Sequence, residues 1–189
     1  KHTGLQCTAT DIAPWIDLVK REQEAQSIIK IAMVGKYCGL GDAYKSLREA
    51  VRHASIALGV QAELVFIDAE HSSKEQLVDA LKTVSGLIIP GGFGPRGSQG
   101  KLDAITYARS NGLPFFGICF GMQLAVVEFC RTVLKIDANS TEIDADCKEP
   151  VVCLISELAE NKHAEVTDKG GTMRLGKIKD KLALDSKVY

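Results

Sequence analysis

Four short apolar runs recur along the chain, at residues 28–34 (IIKIAMV), 60–67 (VQAELVFI), 86–90 (GLIIP) and 113–118 (LPFFGI), and a helix-signalled stretch separates each from the next. This alternation limits the possible folds more than any other feature. A run that is apolar at nearly every position is buried on both faces, the condition of a strand inside a parallel sheet. Parallel neighbours need a crossover of about a dozen residues or more, and the intervening helices supply it. The expected fold class is therefore α/β: a doubly wound, mostly parallel sheet with helices on both faces, of the flavodoxin-like kind. In such sheets ligands gather beyond the carboxyl ends of the strands.

Local signals mark the elements between the runs. Residues 1–26 read as a leader or linker from a preceding domain, carrying one helix (APWIDLVKREQEAQ), and residues 27–189 as the main domain. Asp42 is an expected N-cap for a helix ending at Leu58. Its expected apolar stripe is Leu47, Ala50, Val51, Ala54, Ala57 and Leu58, and Gly59 is the stop. Ser73 and Gln76 stand at capping-box spacing. A further helix is expected over about 101–110. Beyond about residue 135 the pattern weakens. VVCLI (151–155) is an expected strand, and KGGTMRLGKIKDK (169–181) an expected turn with a short strand or hairpin.

Charge and composition exclude several function classes. A net charge of −1 gives no general attraction for nucleic acid or an anionic membrane surface, so neither is an expected partner. No apolar run approaches the roughly 20 residues that span a bilayer, and the opening KHTGLQCTAT has no signal-peptide core. The six cysteines form no C-x-x-C pair, which argues against a zinc site; no metal is expected. Size and cysteine usage fit a reducing compartment, so the expected location is cytoplasmic.

One cysteine stands apart. In Gly117-Ile118-Cys119-Phe120-Gly121 an apolar run leads into Cys119 and a helical pattern leads out. A residue at such a junction occupies a sharp turn that presents its side chain above the sheet, as in nucleophile elbows punctuated by glycines. The helix N-terminus beneath the sulfur favours thiolate over thiol, and the amide of Phe120 is placed to meet a developing oxyanion. The helix is expected to bury Met122, Ala125, Val126, Phe129 and Val133. The plain alternative is a buried structural thiol, the usual fate of a free cysteine; the other five, which lack this setting, are read as packing or surface residues.

These strings also resemble a known family. GICFGMQLA is similar to the nucleophile motif of class I (triad-type) glutamine amidotransferases. More narrowly, VGKY, DAYKSLREAVRHA, IIPGGFGPRGSQGK, GICFGMQ, NSTEID and GGTMRLG resemble, in order, the glutaminase domain of the CTP synthase family, from about residue 10 onward. The resemblance implies hydrolysis of L-glutamine through a thioester on Cys119, with Gly92 and Phe120 supplying oxyanion-hole amides. It implies substrate contacts from Gly92, Phe120, Gly121, Met122, Gln123 and Glu142, the last on the α-amino group. Arg96 and Gly97 match a lid loop tied to activation by GTP. The ammonia would pass to a separate synthetase domain that uses ATP and Mg2+ to convert UTP to CTP. That domain would belong to the same full-length chain and carry homo-oligomer contacts.

Three departures accompany the resemblance. Phe120 replaces the usual leucine, and Gln99 stands where the lid often has glutamate. The family's general base lies in a C-terminal His-Pro-Glu segment, and none of His2, His53, His71 and His163 precedes Pro-Glu. All four are expected at the surface, and the catalytic His and Glu are expected outside this sequence. Two other readings stand beside the glutaminase: another cysteine-elbow hydrolase or chaperone, and a non-catalytic regulatory module of the same fold.

Overall fold

Strand Ser27–Gly35 (β1) is the inner strand on which the sheet is built. It pairs in parallel with Val60–Asp68 (β2) from Ser27↔Val60 to Gly35↔Asp68, and on its other side with Gly86–Ile89 (β3). β3 pairs in parallel with Phe115–Gly117 (β4), giving the order β2-β1-β3-β4. This arrangement comes from a computed structural model, which describes residues 10–39, 42–153, 179, 181 and 184. The chain divides into two units, Lys1–Val152 and Cys153–Tyr189, and the fold described is that of the first.

Among the described residues five helices accompany the strands: Ala13–Glu24 (α1), Lys45–Leu58 (α2), Lys74–Leu81 (α3), Ser98–Asn111 (α4) and Phe120–Thr132 (α5). The chain leaves β1 toward β2, then crosses back past β1 to β3 and β4. With right-handed crossovers this reversal puts α2 on one face of the sheet and α3 and α4 on the other, where α5 packs beside α4. The doubly wound α/β expectation is met. The crevice of such a sheet opens where the strand order reverses, between the loops that follow β1 and β3. A small second sheet pairs Ala138–Ser140 (β5) in parallel with Glu149–Val152 (β6). β6 takes up Val151 and Val152 of the expected 151–155 strand; Leu154 and Ile155 lie outside the described residues. So does the expected 169–181 hairpin, apart from Lys179 and Lys181.

Two helices bury other faces than their apolar counts suggest. In α2 the inward positions are Leu47, Val51, Ser55 and Ile56, and Ala50, Ala54, Ala57 and Leu58 face outward. Tyr44 fixes this rotation: it is buried at the N-cap and stacks on Phe66 of β2, ring centroids 6.5 Å apart. Alanine is the best helix former and costs little when exposed, so its positions do not define a core stripe. Asp42 is not the N-cap; its backbone carbonyl accepts from the Lys45 amide at 3.2 Å. Gly59 ends the helix at φ 66°, as expected.

In α5 the buried residues are Phe120, Gly121, Leu124, Val127, Glu128 and Cys130. Met122, Val126, Phe129 and Val133 are exposed and Ala125 is half-buried, the reverse of the expected face. The cause lies in Gly121: a Cβ there would stand 2.1 Å from the Ile89 carbonyl oxygen. The helix therefore seats directly on β3, and that contact sets its rotation. α4 starts at Ser98, three residues before the expected position, because Gly97 at φ 69° serves as its N-cap. The capping box at Ser73 and Gln76 is formed.

A candidate active site at the Cys119 turn

β4 hands the chain to α5 through a single residue. Ile118 still donates its amide to the Ile89 carbonyl at 2.9 Å, and Phe120 is already helical. Cys119 between them takes φ 54° and ψ −115°, a conformation that costs a non-glycine residue of order 1–3 kcal/mol. The two glycines make this turn possible. A Cβ on Gly117 would lie 2.7 Å from the Met122 amide nitrogen and 2.8 Å from the Gly121 carbonyl, so the strand end and the helix start touch backbone to backbone. Gly121 makes the corresponding approach to β3. The turn leaves the Cys119 residue exposed rather than enclosed by core side chains.

The loop after β3 lies against the sulfur. A Cβ built on Gly91 would stand 3.3 Å from Cys119 Cβ and 3.8 Å from its Sγ. The next residue, Gly92, has φ 132°, which L side chains rarely adopt. The amides of Gly121, Met122 and Gln123 are engaged in the bonds of the turn, to Ile118 and Cys119 carbonyls. The Gly92 and Phe120 amides donate to no backbone acceptor among the described residues. Phe120 contributes more than a backbone: its ring is completely buried and meets Phe93 of the same loop at 6.1 Å.

Two lysines that the sequence reading passed over stand behind this loop. Lys36, in the loop after β1, donates its ammonium to the Phe93 carbonyl, bridging the crevice. Lys101 on α4 is wholly buried, with Nζ 3.5 Å from the Pro90 carbonyl and 5.9 Å from the Phe120 ring centre. Burial first, and then the charge of Lys36, depress the Lys101 ammonium to about 8. Periodicity could have flagged this residue, since Lys101 shares a helix face with Ile105 and Ala108, both buried. A buried cation behind backbone donors supplies the electrostatics that favour negative charge at the turn.

The remaining expected residues fall as follows. Gln123 lies on α5 one turn beyond Cys119, half-buried, and the Met122 side of the helix is exposed. Arg96 is not a free loop cation: its guanidinium makes a two-pronged bond to Glu70 at 2.9 and 2.7 Å, tying the 90–97 loop to the loop after β2. Gln99 bonds Asp103 at 3.0 Å. Glu142 is buried, not a solvated surface charge. It sits in the turn after β5, where its amide donates to Ser140 Oγ at 3.2 Å. Arg131 Nε, donating to the Ala138 carbonyl at 2.5 Å, links that strand to α5.

His53 is exposed on α2, and His71 Nδ1 lies 3.1 Å from Asp68 Oδ2 in the loop after β2; His2 and His163 lie outside the described residues. No hydrogen bond joins Cys119 to a histidine among the described residues. Nor do those residues hold a cluster of three or more His, Cys, Asp or Glu side chains suited to a metal ion. No helix in the described residues is long and apolar enough to cross a membrane. The presented sulfur, the two uncommitted amides and the lysines behind them form an arrangement suited to attack on a carbonyl carbon with capture of the resulting oxyanion.

Comparison with known proteins places this arrangement in a family. The model of class-I glutamine amidotransferases matches residues 40–188. CTP synthase of Campylobacter jejuni subsp. doylei is 49% identical over 185 residues, which cover 93% of this chain and 34% of that protein. CTP synthase of Halalkalibacterium halodurans is 43% identical over 176 residues, covering 93% and 32%. The chain thus spans about a third of the length of the curated relatives it matches. A solved structure, the glutaminase domain of Trypanosoma brucei CTPS with bound acivicin, superposes with a TM-score of 0.62 at 39% identity, covering 67% of this chain and 50% of that one. With the family model matched over most of its length and the glycine-bracketed cysteine turn in place, this chain belongs to the class-I glutamine amidotransferases.

Proposed function

We propose that the chain is the glutaminase part of a CTP synthase: it hydrolyses L-glutamine and delivers ammonia to a synthetase part of the same full-length protein. The observation that carries this reading is the Cys119 turn, strained, exposed and faced by the glycine loop, in a chain 43–49% identical to CTP synthases.

In this reading Cys119 Sγ attacks the side-chain amide carbon of glutamine. The carbonyl oxygen becomes an oxyanion held by the Gly92 and Phe120 amides, with the Lys101 ammonium behind the loop. The C–N bond breaks as a proton reaches the leaving nitrogen, ammonia departs, and water cleaves the thioester to glutamate. Gly121, Met122 and Gln123 line the substrate's approach along α5, and Glu142 takes its α-ammonium. Proton transfer to ammonia needs a positioned base and acid; in the family a histidine held by glutamate fills this role, and we assign it to residues outside this sequence. The site itself needs no cofactor. ATP and Mg2+ serve the synthetase part, which aminates UTP. GTP acts as activator through the 90–97 loop, where Arg96 exchanges its present bond to Glu70 for the nucleotide. The protein works in the cytoplasm, as a homo-oligomer assembled through the synthetase part.

The test uses the full-length protein. Wild type should form CTP from UTP and ATP with either glutamine or ammonium. Cys119→Ala should abolish the glutamine-dependent reaction and leave the ammonium-dependent one within about twofold. Glutamine-dependent CTP formation by Cys119→Ala would overturn the assignment.

A further inference from the structure

The buried face of α4 carries a charge where an apolar residue would pack. Lys101 is wholly buried, in one helix with the buried Leu102, Ile105 and Ala108. Its surroundings compensate poorly. The ammonium donates to the Pro90 carbonyl at the long distance of 3.5 Å and lies 5.9 Å from the Phe120 ring centre. The titratable groups acting on it are Lys36 and Cys38 from the loop after β1 and Cys119 from the β4–α5 turn, a like charge and two thiols. Acids of the adjoining helices are engaged elsewhere. Arg109 holds Glu128 of α5, and Ser73 and Lys82 bond the exposed Glu75 and Asp79 of α3. A methionine would fill the same space without burying an ammionium-sized charge. Sequences that break such a local rule do so chiefly at functional sites.

The backbone of α4 fixes where this charge stands. The Lys101 amide donates to the Gly97 carbonyl at 3.1 Å. One residue before Lys101, a Cβ on Gly100 would stand 2.2 Å from the Ala69 carbonyl oxygen, so the helix is seated tightly on the loop after β2. From this seat the side chain reaches both residues whose amides are uncommitted. A Cβ on Gly92 would lie 3.8 Å from Nζ, and the Phe120 ring lies beneath the same ammonium. Its acceptor, Pro90, leads directly into Gly91 and Gly92. One ammonium thus touches the glycine loop and the first residue of α5. We propose that Lys101 is a positioning residue for glutamine hydrolysis: its ammonium holds the Pro90–Gly92 segment against Phe120, so that the Gly92 and Phe120 amides meet one developing oxyanion. This rests on the function proposed above. The effect belongs to the transition state, where the negative charge appears, and not to the binding of glutamine.

The test compares full-length wild type with Lys101→Met, which keeps an unbranched side chain and removes the charge. Glutaminase kcat should fall at least tenfold with KM for glutamine within threefold, while thermal unfolding at pH 7 moves upward. A packing role would lower activity and stability together, and that pairing would overturn the proposal. Alkylation of Cys119 by iodoacetamide forms no oxyanion, so its rate should stay within threefold of wild type. A parallel loss of alkylation would place the effect on the sulfur and contradict the proposal. The wild-type to Lys101→Met ratio of kcat should also shrink at least threefold between about pH 7 and about pH 9.5, as the wild-type lysine, with its pKa lowered to about 8, gives up its proton. A ratio constant over that range contradicts the role of the charge. Lys101→Gln, neutral at every pH, should lose kcat in the same way and decides the matter if the methionine variant does not fold. Wild type that hydrolyses glutamine beside unimpaired Lys101 variants rejects this inference alone; wild type that hydrolyses none rejects the proposed function as well.

Discussion

Gly121 illustrates how much one missing side chain decides. Its Cα lies so close to β3 that a methyl group would stand 2.1 Å from the Ile89 carbonyl oxygen, a contact relieved only by lifting α5 off the sheet. Gly121→Ala should therefore cost at least about 3 kcal/mol in urea unfolding, near the top of the range for single substitutions. Stability within 0.5 kcal/mol of wild type would show that the turn has room the structure does not. Lys101 leads to the opposite expectation. Its ammonium is depressed to about 8 by burial and by Lys36, against an unfolded value near 10.4. A lysine whose folded pKa is lowered costs stability in its charged form. The cost is complete below about pH 8 and vanishes above about pH 10.4. Lys101→Met should thus be more stable than wild type at pH 7, by up to about 3 kcal/mol, and the gap should close as pH rises from 8 to 10.4. A gap that stays constant across that range, measured by thermal unfolding, would contradict the assignment.

At the scale of elements, α4 and α5 are joined by a buried acid. Burial pushes the Glu128 carboxyl up, but Arg109 with two prongs at 2.9 Å and Thr132 at 2.8 Å outweigh it and hold the group below its usual range. A depressed carboxylate contributes stability above its unfolded pKa and loses it as pH falls through the folded value. Because the Arg109 side chain is 37% exposed, the expected cost of Glu128→Gln is modest, about 1–2 kcal/mol at pH 7. The difference should shrink below about pH 4. Undiminished destabilisation at pH 3 would point to packing instead of charge. This pair also explains why the α5 rotation was not legible. Counting apolar residues put Met122, Val126, Phe129 and Val133 inside, whereas the buried face includes a glycine and a glutamate. Neither registers as core in a hydrophobic pattern, because one seats backbone on backbone and the other is buried only with its arginine. The same holds for α2, where alanines counted as core and Tyr44 set the rotation. Strand positions, the capping box and the Cys119 junction were legible because continuous apolar runs, Ser-x-x-Gln and paired glycines each have a local cause.

For the whole molecule, topology explains why the site lies where it does. Reversal of strand order at β1 opens a crevice between the loops after β1 and β3. Lys36 reaches across it to Phe93, and the β4–α5 turn delivers Cys119 beside the glycine loop. The sequence suggested the cysteine and the Phe120 amide from the elbow motif, and Gly92 from the family resemblance. It did not suggest Lys36 or Lys101, whose role depends on distant elements meeting behind the loop. The central claim is that this crevice holds glutamine against Cys119, and the most direct measurement is covalent labelling. Incubate the chain at neutral pH with a glutamine-mimicking electrophile such as acivicin, and locate the adduct by peptide mass spectrometry. One adduct per chain, on Cys119, formed at least tenfold faster than on any other cysteine and slowed by added L-glutamine, is the predicted result. Labelling that spreads over Cys38, Cys147 and Cys153 as readily as Cys119, unaffected by glutamine, would contradict it.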